Sequence, residues 1–316
     1  MTERVKAPFI HTECNDAYTA AAHLVSLVPA VAVGVVFYGL RAIILILFCA
    51  LLFALSDDVC SRIRHTSRGS ILNPLFNGAV IALLLPPDTP IYVAASGVLF
   101  ASIVVRQLSG GRGSSFINAA CAGRLFIRIV FPLNEAALAL PGEHRVYLKS
   151  LIMGSHSPEP VDLSQYYFSE LLMGRFPSFI GTSCAVILLA GMIYLIAKRM
   201  LKPYLPACYL GMLTLLLLIK DIYLGTSQTG MFLLTSGILF TASYLLFDDD
   251  TVKSFGPVSV VQAFLCAALT FLASFKMTGV DLLIFPVLIT GVLTDVLDFT
   301  DKVIKVTAED EADAKS

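Results

Sequence analysis

Three stretches of this 316-residue chain hold side chains that could do chemistry. The first is Arg106-Gln107-Leu108-Ser109-Gly110-Gly111-Arg112-Gly113-Ser114-Ser115, a glycine-rich turn that ends one apolar run and opens another. Backbone amides in such a turn, next to a helix N-terminus, can bind an anion such as phosphate. The same residues also make a tight cytoplasmic turn in which Arg106 and Arg112 supply the positive charge that such loops favour. The second stretch holds Arg124 and Arg128, one helical turn apart and therefore on one face of an apolar helix. A charge inside a membrane is costly, so it calls for a partner, a cofactor phosphate or a wet cavity; in a short, broken helix one of the two would reach the interface instead. The third stretch is Lys149-Ser150-Leu151-Ile152-Met153-Gly154-Ser155-His156-Ser157-Pro158, which reads alone as a polar loop with a turn at Ser157-Pro158 and a solvated His156. No HExxH, GxSxG or Walker-type sequence occurs, so hydrolase and nucleotide-triphosphatase readings have no footing.

The elements that must position these residues are apolar helices. The chain is 57% hydrophobic and 14% charged, with mean hydropathy +0.81, against roughly half and a quarter for soluble domains. Charge-free runs cover 17–40, 69–87, 176–197, 222–247 and 254–275, with shorter ones at 42–56, 89–105 and 203–219. About 20 apolar residues span a bilayer, so the composition predicts an all-α polytopic membrane protein. The expected helices are 19–38, 41–56, 71–86, 90–107, 115–131, 178–198, 203–220, 229–247, 257–275 and 280–298. Pro86-Pro87-Asp88-Thr89-Pro90, Lys198-Arg199 and Asp248-Asp249-Asp250 punctuate them. A net charge of −1 gives no reason to expect nucleic acid; the lipid bilayer is the expected environment. Seven cysteines form no CxxC and lie mostly in apolar runs. Neither a disulfide framework, a cluster nor a metal site is therefore expected of this chain.

With the N-terminus placed in the cytoplasm, fourteen Lys and Arg fall on the inside and three in short outside loops, namely Arg41, Lys220 and Lys276. That bias predicts both termini inside a multi-pass cell membrane, the inner one. The expected organisation is a cytoplasmic segment 1–18, a first transmembrane half 19–131, an extracytoplasmic loop 132–177, a second half 178–298 and an acidic cytoplasmic tail 299–316. Five helices on either side of one long loop suggest two inverted repeats. Gly78-Ala79-Val80-Ile81 and Gly237-Ile238-Leu239-Phe240, each ahead of an acidic turn, give that symmetry a faint echo.

One family accounts for these motifs together. Asn73-Pro74-Leu75-Phe76-Asn77-Gly78, then Leu83-Leu84-Leu85-Pro86-Pro87-Asp88-Thr89-Pro90, then Arg106 through Gly113 and Phe116 through Arg124 follow in order. This succession resembles the "LALxLPPxxP" and "KQLxGGxGxNxFNPAxxGRAF" segments of RnfD, a membrane protein of the Rnf electron-transport complex. RnfD is itself similar to NqrB of the Na⁺-pumping NADH:quinone reductase. The stretch 172–183 resembles "GxxPGSIGETS", and Leu234-Thr235-Ser236-Gly237 with 248–251 resembles "SGGxxxxAxFxxTDPVT" without its proline. Ala7-Pro8-Phe9-Ile10 resembles "SPHI". The likeness covers essentially the whole chain, although no single motif is intact. It implies ten helices in inverted repeats, an outward-facing flavin, and membership of a membrane complex that couples electron transfer to Na⁺ or H⁺ movement.

The flavin site departs from that pattern. The family attaches FMN through a phosphoester to the threonine of "DxxSGAT". Aligning its glycine with Gly154 puts Ser150 in place of Asp, Met153 in place of Ser, and His156 in place of the acceptor threonine. Histidine has no hydroxyl for that linkage, and Ser155 and Ser157 are each one residue out of register. The expectation is therefore FMN or riboflavin held without a covalent bond, with Asn73, Asn77, Asn118 and Arg124 as candidate contacts near the Arg106–Arg124 motif. Each of these is equally suited to hydrogen bonding between helices. Three functions stay open: an electron-transfer subunit, a redox-inactive scaffold of such a complex, and a transporter or channel, since the fold is similar to that of urea channels. The expected partners are other membrane subunits of an Rnf- or Nqr-type complex.

Overall fold

The structure is a computed structural model and describes residues 16–65, 70–107, 117–131, 167–225, 228–246, 257–276, 280–294 and 296. Most of the expected N-terminal segment, of the glycine-rich turn and of the long loop, and the whole acidic tail, lie outside the described residues. Every described element is helical, and no strand occurs among them.

The chain opens with α1 (Asp16–Ile63), a run broken at Gly39, where φ is 66° and ψ −152°. This region of backbone space is essentially reserved for glycine, so one run divides into the two expected arms. The second arm continues past the expected end at 56. Its charged residues do not stop it: Arg62 pairs with Asp58 one turn back at 2.6 Å. Ala42, Leu45, Ile46, Cys49 and Phe53 are buried, while Leu47, Leu51 and Leu55 on the opposite face are each more than half exposed. A helix apolar all round is solvated by lipid or by protein on every side.

Two elements are interrupted. Helix α2 (Leu72–Leu83) spans about 18 Å at 1.5 Å per residue, too little to cross a bilayer. It passes into a buried non-helical stretch through Leu84 and Leu85, closed by Thr89 N and Oγ1, which both donate to Pro86 O. Then α3 (Ile91–Leu99) continues as a π-helix, Phe100–Gln107, and α4 (Ala119–Val130) starts at an Asn118 cap that accepts from Cys121 N. In the second half α8 (Thr229–Thr235) stops at Gly237, whose φ of 74° is left-handed; α9 (Ile238–Phe240) and a π-helix, Thr241–Leu245, follow. The expected single helix over 229–247 is thus two pieces.

The expected helix from 178 is also corrected. A short helix, α5 (Phe168–Met173), ends at left-handed Gly174, and regular structure resumes only at α6 (Ala185–Ala197). Between them the chain runs through bends and turns yet is buried, with Phe176, Ser178, Ile180, Thr182 and Ser183 at most 3% exposed. Its amides look elsewhere for acceptors: Gly181 N donates to Leu83 O at 2.8 Å and Ile180 N to Leu85 O at 3.3 Å. Tyr38 Oη donates to Ser178 O at 2.9 Å. Irregular backbone buried this deeply survives only where protein groups satisfy it.

The remaining helices are α7 (Tyr204–Leu224), α10 (Pro257–Ala273) and α11 (Asp281–Thr294). Among the described residues, two helical runs, 17–63 and Tyr204–Leu224, are by length and composition long and apolar enough to cross a membrane. One core joins both halves. Phe76, Leu84, Ile180, Leu188, Tyr244 and Leu283 belong to it, and Tyr244 Oη donates across the halves to Ser26 O at 2.8 Å. Backbones approach closely at Gly78, whose Cβ would lie 2.6 Å from Cys49 O. The α3/α4 crossing is similar: a Cβ on Gly123 would lie 2.8 Å from Gly97 O. Small residues at such crossings let helices pack without a hydrophobic drive between them.

Candidate functional site

Helix α4 carries the polar groups that hold the interrupted elements. Asn118 Nδ2, at its start, donates to Leu245 O at 3.2 Å. Arg124 Nε, six residues on and so about 9 Å along the helix, donates to Leu84 O at 3.0 Å. The ends of the two broken elements therefore meet opposite sides of one turn and a half of α4, and each gives a carbonyl that a continuous helix would keep for itself.

Arg124 is 1% exposed and does more than cap. Its Nη2 lies 3.2 Å from Asp281 Oδ1 at the start of α11, and its guanidinium sits 5.5 Å from the Phe179 ring centroid. Arg128 Nε reaches the other oxygen, Oδ2, at 3.1 Å, but Arg128 is nearly half exposed. The carboxylate of Asp281 thus bridges two guanidinium groups. It joins the first half, through α4, to the second, through α11. Beside it Thr182, 1% exposed, packs its methyl 2.8 Å from where a Cβ on Gly237 would stand, and its hydroxyl has no partner among the described residues.

A second polar cluster gathers at the other end of α1 and α3. Arg106 Nε lies 3.5 Å from Asp57 Oδ1, with both side chains under 10% exposed, and Arg106 Nη1 donates to Asn73 Oδ1 at 3.1 Å. Asn77 Nδ2 donates to the same Asn73 oxygen at 2.8 Å, and Gln107 Nε2 to Asp57 Oδ1 at 2.6 Å. Arg64 Nη1 donates to Gln107 O at 2.8 Å, and the Arg106 guanidinium lies over the Phe53 ring. A third pair, Arg41 with Asp88 at 3.0 Å, fastens the chain just after the Gly39 break to the loop after α2.

The expected flavin contacts therefore do not form one cluster. Asn73 and Asn77 join Arg106, whereas Asn118 and Arg124 hold the broken helices. Of the motif loop, Arg106 is described; Gly110, Gly111, Arg112 and Gly113 lie outside the described residues, as do Ser155 and Ser157. Between the π-helical part of α3, α4 and α11 runs a cavity of about 720 Å³ with Phe100, Phe126, Ile129, Phe285 and Val292 in its walls. It is large enough for a flavin ring, and Phe100 and Phe126 stack there at 4.3 Å. Its lining residues carry no polar side chain for the nitrogen and oxygen edge of the ring, and the four candidate contacts are engaged with protein groups. This cavity alone therefore offers the ring apolar walls and no polar contact.

Residues 4–305 match the model of the NQR2, RnfD, RnfE family. This chain belongs to that family. Among NQR2, RnfD, RnfE relatives, it is 24% identical over 270 residues to the D-type subunit of the Na⁺-translocating ferredoxin:NAD⁺ oxidoreductase complex of Acetobacterium woodii, covering 84% of this chain and 82% of the relative. It is 26% identical over 149 residues to the D-type subunit of the ion-translocating oxidoreductase complex of Escherichia coli, covering 46% of this chain and 42% of that relative. Membership agrees with the motif order seen in the sequence.

Asp57, Asp281, Thr182 and Tyr38 are site residues that sequence reading missed. Asp281 stands at a helix start and Asp57 just past the expected helix end at 56, where acids look solvated. The available signal was the need of Arg106 and Arg124, set in apolar sequence, for counter-charges.

Proposed function

We propose that this chain is the D-type membrane subunit of an Rnf-type complex that couples electron transfer to Na⁺ or H⁺ movement. The observation that carries the proposal is the family match over residues 4–305, with the Acetobacterium woodii relative aligned along 84% of the chain. Its partners on this reading are the other membrane subunits, through which electrons enter and leave. Ten membrane-crossing elements in two inverted halves, with both termini cytoplasmic and 132–177 outside, complete the proposal. Several contacts support that topology. Arg41 with Asp88, Arg128 with Asp281, Arg64 with Gln107, and Lys220 over the Phe275 ring each join groups that this topology puts towards one side. Cysteine labelling from either face of the membrane reads the topology directly.

The histidine at the acceptor position and the engaged polar side chains favour, within the same complex, a subunit whose part is structural or ion-conducting and which carries no covalent FMN. Membrane vesicles from cells with and without the chain test the proposal. Electron-donor-driven uptake of Na⁺ or H⁺ is expected only with the chain present. Equal uptake in both removes the subunit from the coupling machinery.

A further inference from the structure

Ser259, Gln262, Cys266 and Thr270 recur at spacings of three, four and four along α10, which places them on one helical face. All four are at most 2% exposed, whereas Val261, Phe264 and Leu272, on the opposite side of the helix, are 43–62% exposed. Polar groups therefore line the protein-facing side of an otherwise apolar helix. Facing them, Tyr209 Oη of α7 lies 3.5 Å from Thr270 Oγ1, and Thr290 of α11 lies near the Cys266 thiol. The short connection between α10 and α11 makes them antiparallel neighbours. One turn back from Cys266 is Gln262, and one turn on from Thr290 is Thr294, so the buried Thr294 stands level with Gln262.

The hydroxyls of this seam are self-sufficient as donors. Thr270 gives its hydrogen to Cys266 O, Thr290 to Pro286 O and Thr294 to Thr290 O. Gln262 differs: it is 2% exposed, and neither its Nε2 nor its Oε1 has a hydrogen-bond partner among the described residues. Burying an amide without a hydrogen bond is costly, and such orphans are rare in native proteins. Both ends of this amide are orphaned, which restricts the ligand. A bare cation would serve only Oε1 and an anion only Nε2, whereas water donates and accepts. The threonine oxygens still have lone pairs that accept from water after their hydrogens are given away.

We propose that the amide of Gln262 holds internal water in a polar seam between α7, α10 and α11, which runs for about 17 Å from Ser259 to Thr270. On the reading of the chain as a subunit of an ion-translocating complex, this seam lets water into the second half of the bundle. The water site itself does not depend on that reading.

Radiolytic hydroxyl-radical footprinting of the full chain in its purified membrane complex tests the proposal, because radicals form from water beside the side chain they oxidise. Cys266 and Cys49 are both 0% exposed, but the Cys49 thiol has no hydrogen-bond partner among the described residues and its helix packs closely on Gly78. Cys266 is expected to oxidise severalfold faster than Cys49, and Gln262→Leu to bring it down to the Cys49 rate. Equal rates in the unaltered protein overturn the proposal without any variant. A fast Cys266 unaffected by Gln262→Leu overturns the role given to the amide.

Discussion

Asp281 serves two arginines in different surroundings, and the surroundings decide what each contact is worth. Arg124 is 1% exposed, so losing its carboxylate leaves a guanidinium charge deep in apolar protein, a change that typically costs about 3–5 kcal/mol. Arg128 is nearly half exposed, and pairs of that kind contribute about 0–1 kcal/mol. Asp281→Leu is therefore expected to lower the unfolding temperature of the purified protein sharply, and Arg128→Leu hardly at all. Similar losses from both would mean that the Arg124 contact is not the one that matters. At the acceptor position the chemistry is simpler. A phosphoester needs a hydroxyl oxygen and His156 has none, so the denatured chain on a gel is expected to show no flavin fluorescence under ultraviolet light. A fluorescent band lost on Ser155→Ala or Ser157→Ala would restore the usual linkage at a shifted residue. Flavin released before denaturation, at about one per chain, would identify a non-covalent carrier.

At the scale of elements, close helix contacts set what the chain tolerates. A Cβ at Gly78 would fall 2.6 Å from Cys49 O and 2.7 Å from Ala50 Cα, both backbone atoms that cannot swing aside. Gly78→Ala is expected to cost about 1–3 kcal/mol by pushing α1 and α2 apart. A Cβ at Gly211, in α7, meets nothing within 4 Å, so Gly211→Ala is expected to be neutral or to stabilise by up to about 1 kcal/mol through helix propensity. Thermal unfolding of the two variants in detergent separates them, and a tolerated Gly78→Ala would contradict the tight α1/α2 packing. Helices such as α7 and α10 were legible in the sequence because uninterrupted apolar length is their signal. The breaks were not. The stretch 178–184 belongs to the same charge-free run as the helix after it, and what keeps it out of that helix is a tertiary demand, the Leu83 and Leu85 carbonyls that its amides satisfy. Likewise Asp57 looked like a helix end because a charge there ends a lipid-facing run; pairing with the buried Arg106 lets the helix continue.

For the whole molecule, sequence and fold give complementary information. Composition alone separated this chain from soluble proteins, and the order of degenerate motifs pointed to the family that the match over residues 4–305 establishes. The joining of the two halves was out of reach of sequence. Arg124 with Asp281 and Tyr244 with Ser26 pair residues more than 150 positions apart, and no periodic pattern announces such contacts. These links tie the two halves together across a buried ion pair. The most direct test is affinity purification of the tagged chain from gently solubilised membranes, with its companions identified by mass spectrometry. The account predicts stoichiometric recovery of the other membrane subunits of an Rnf- or Nqr-type complex; a monodisperse monomer that carries full activity alone would contradict it.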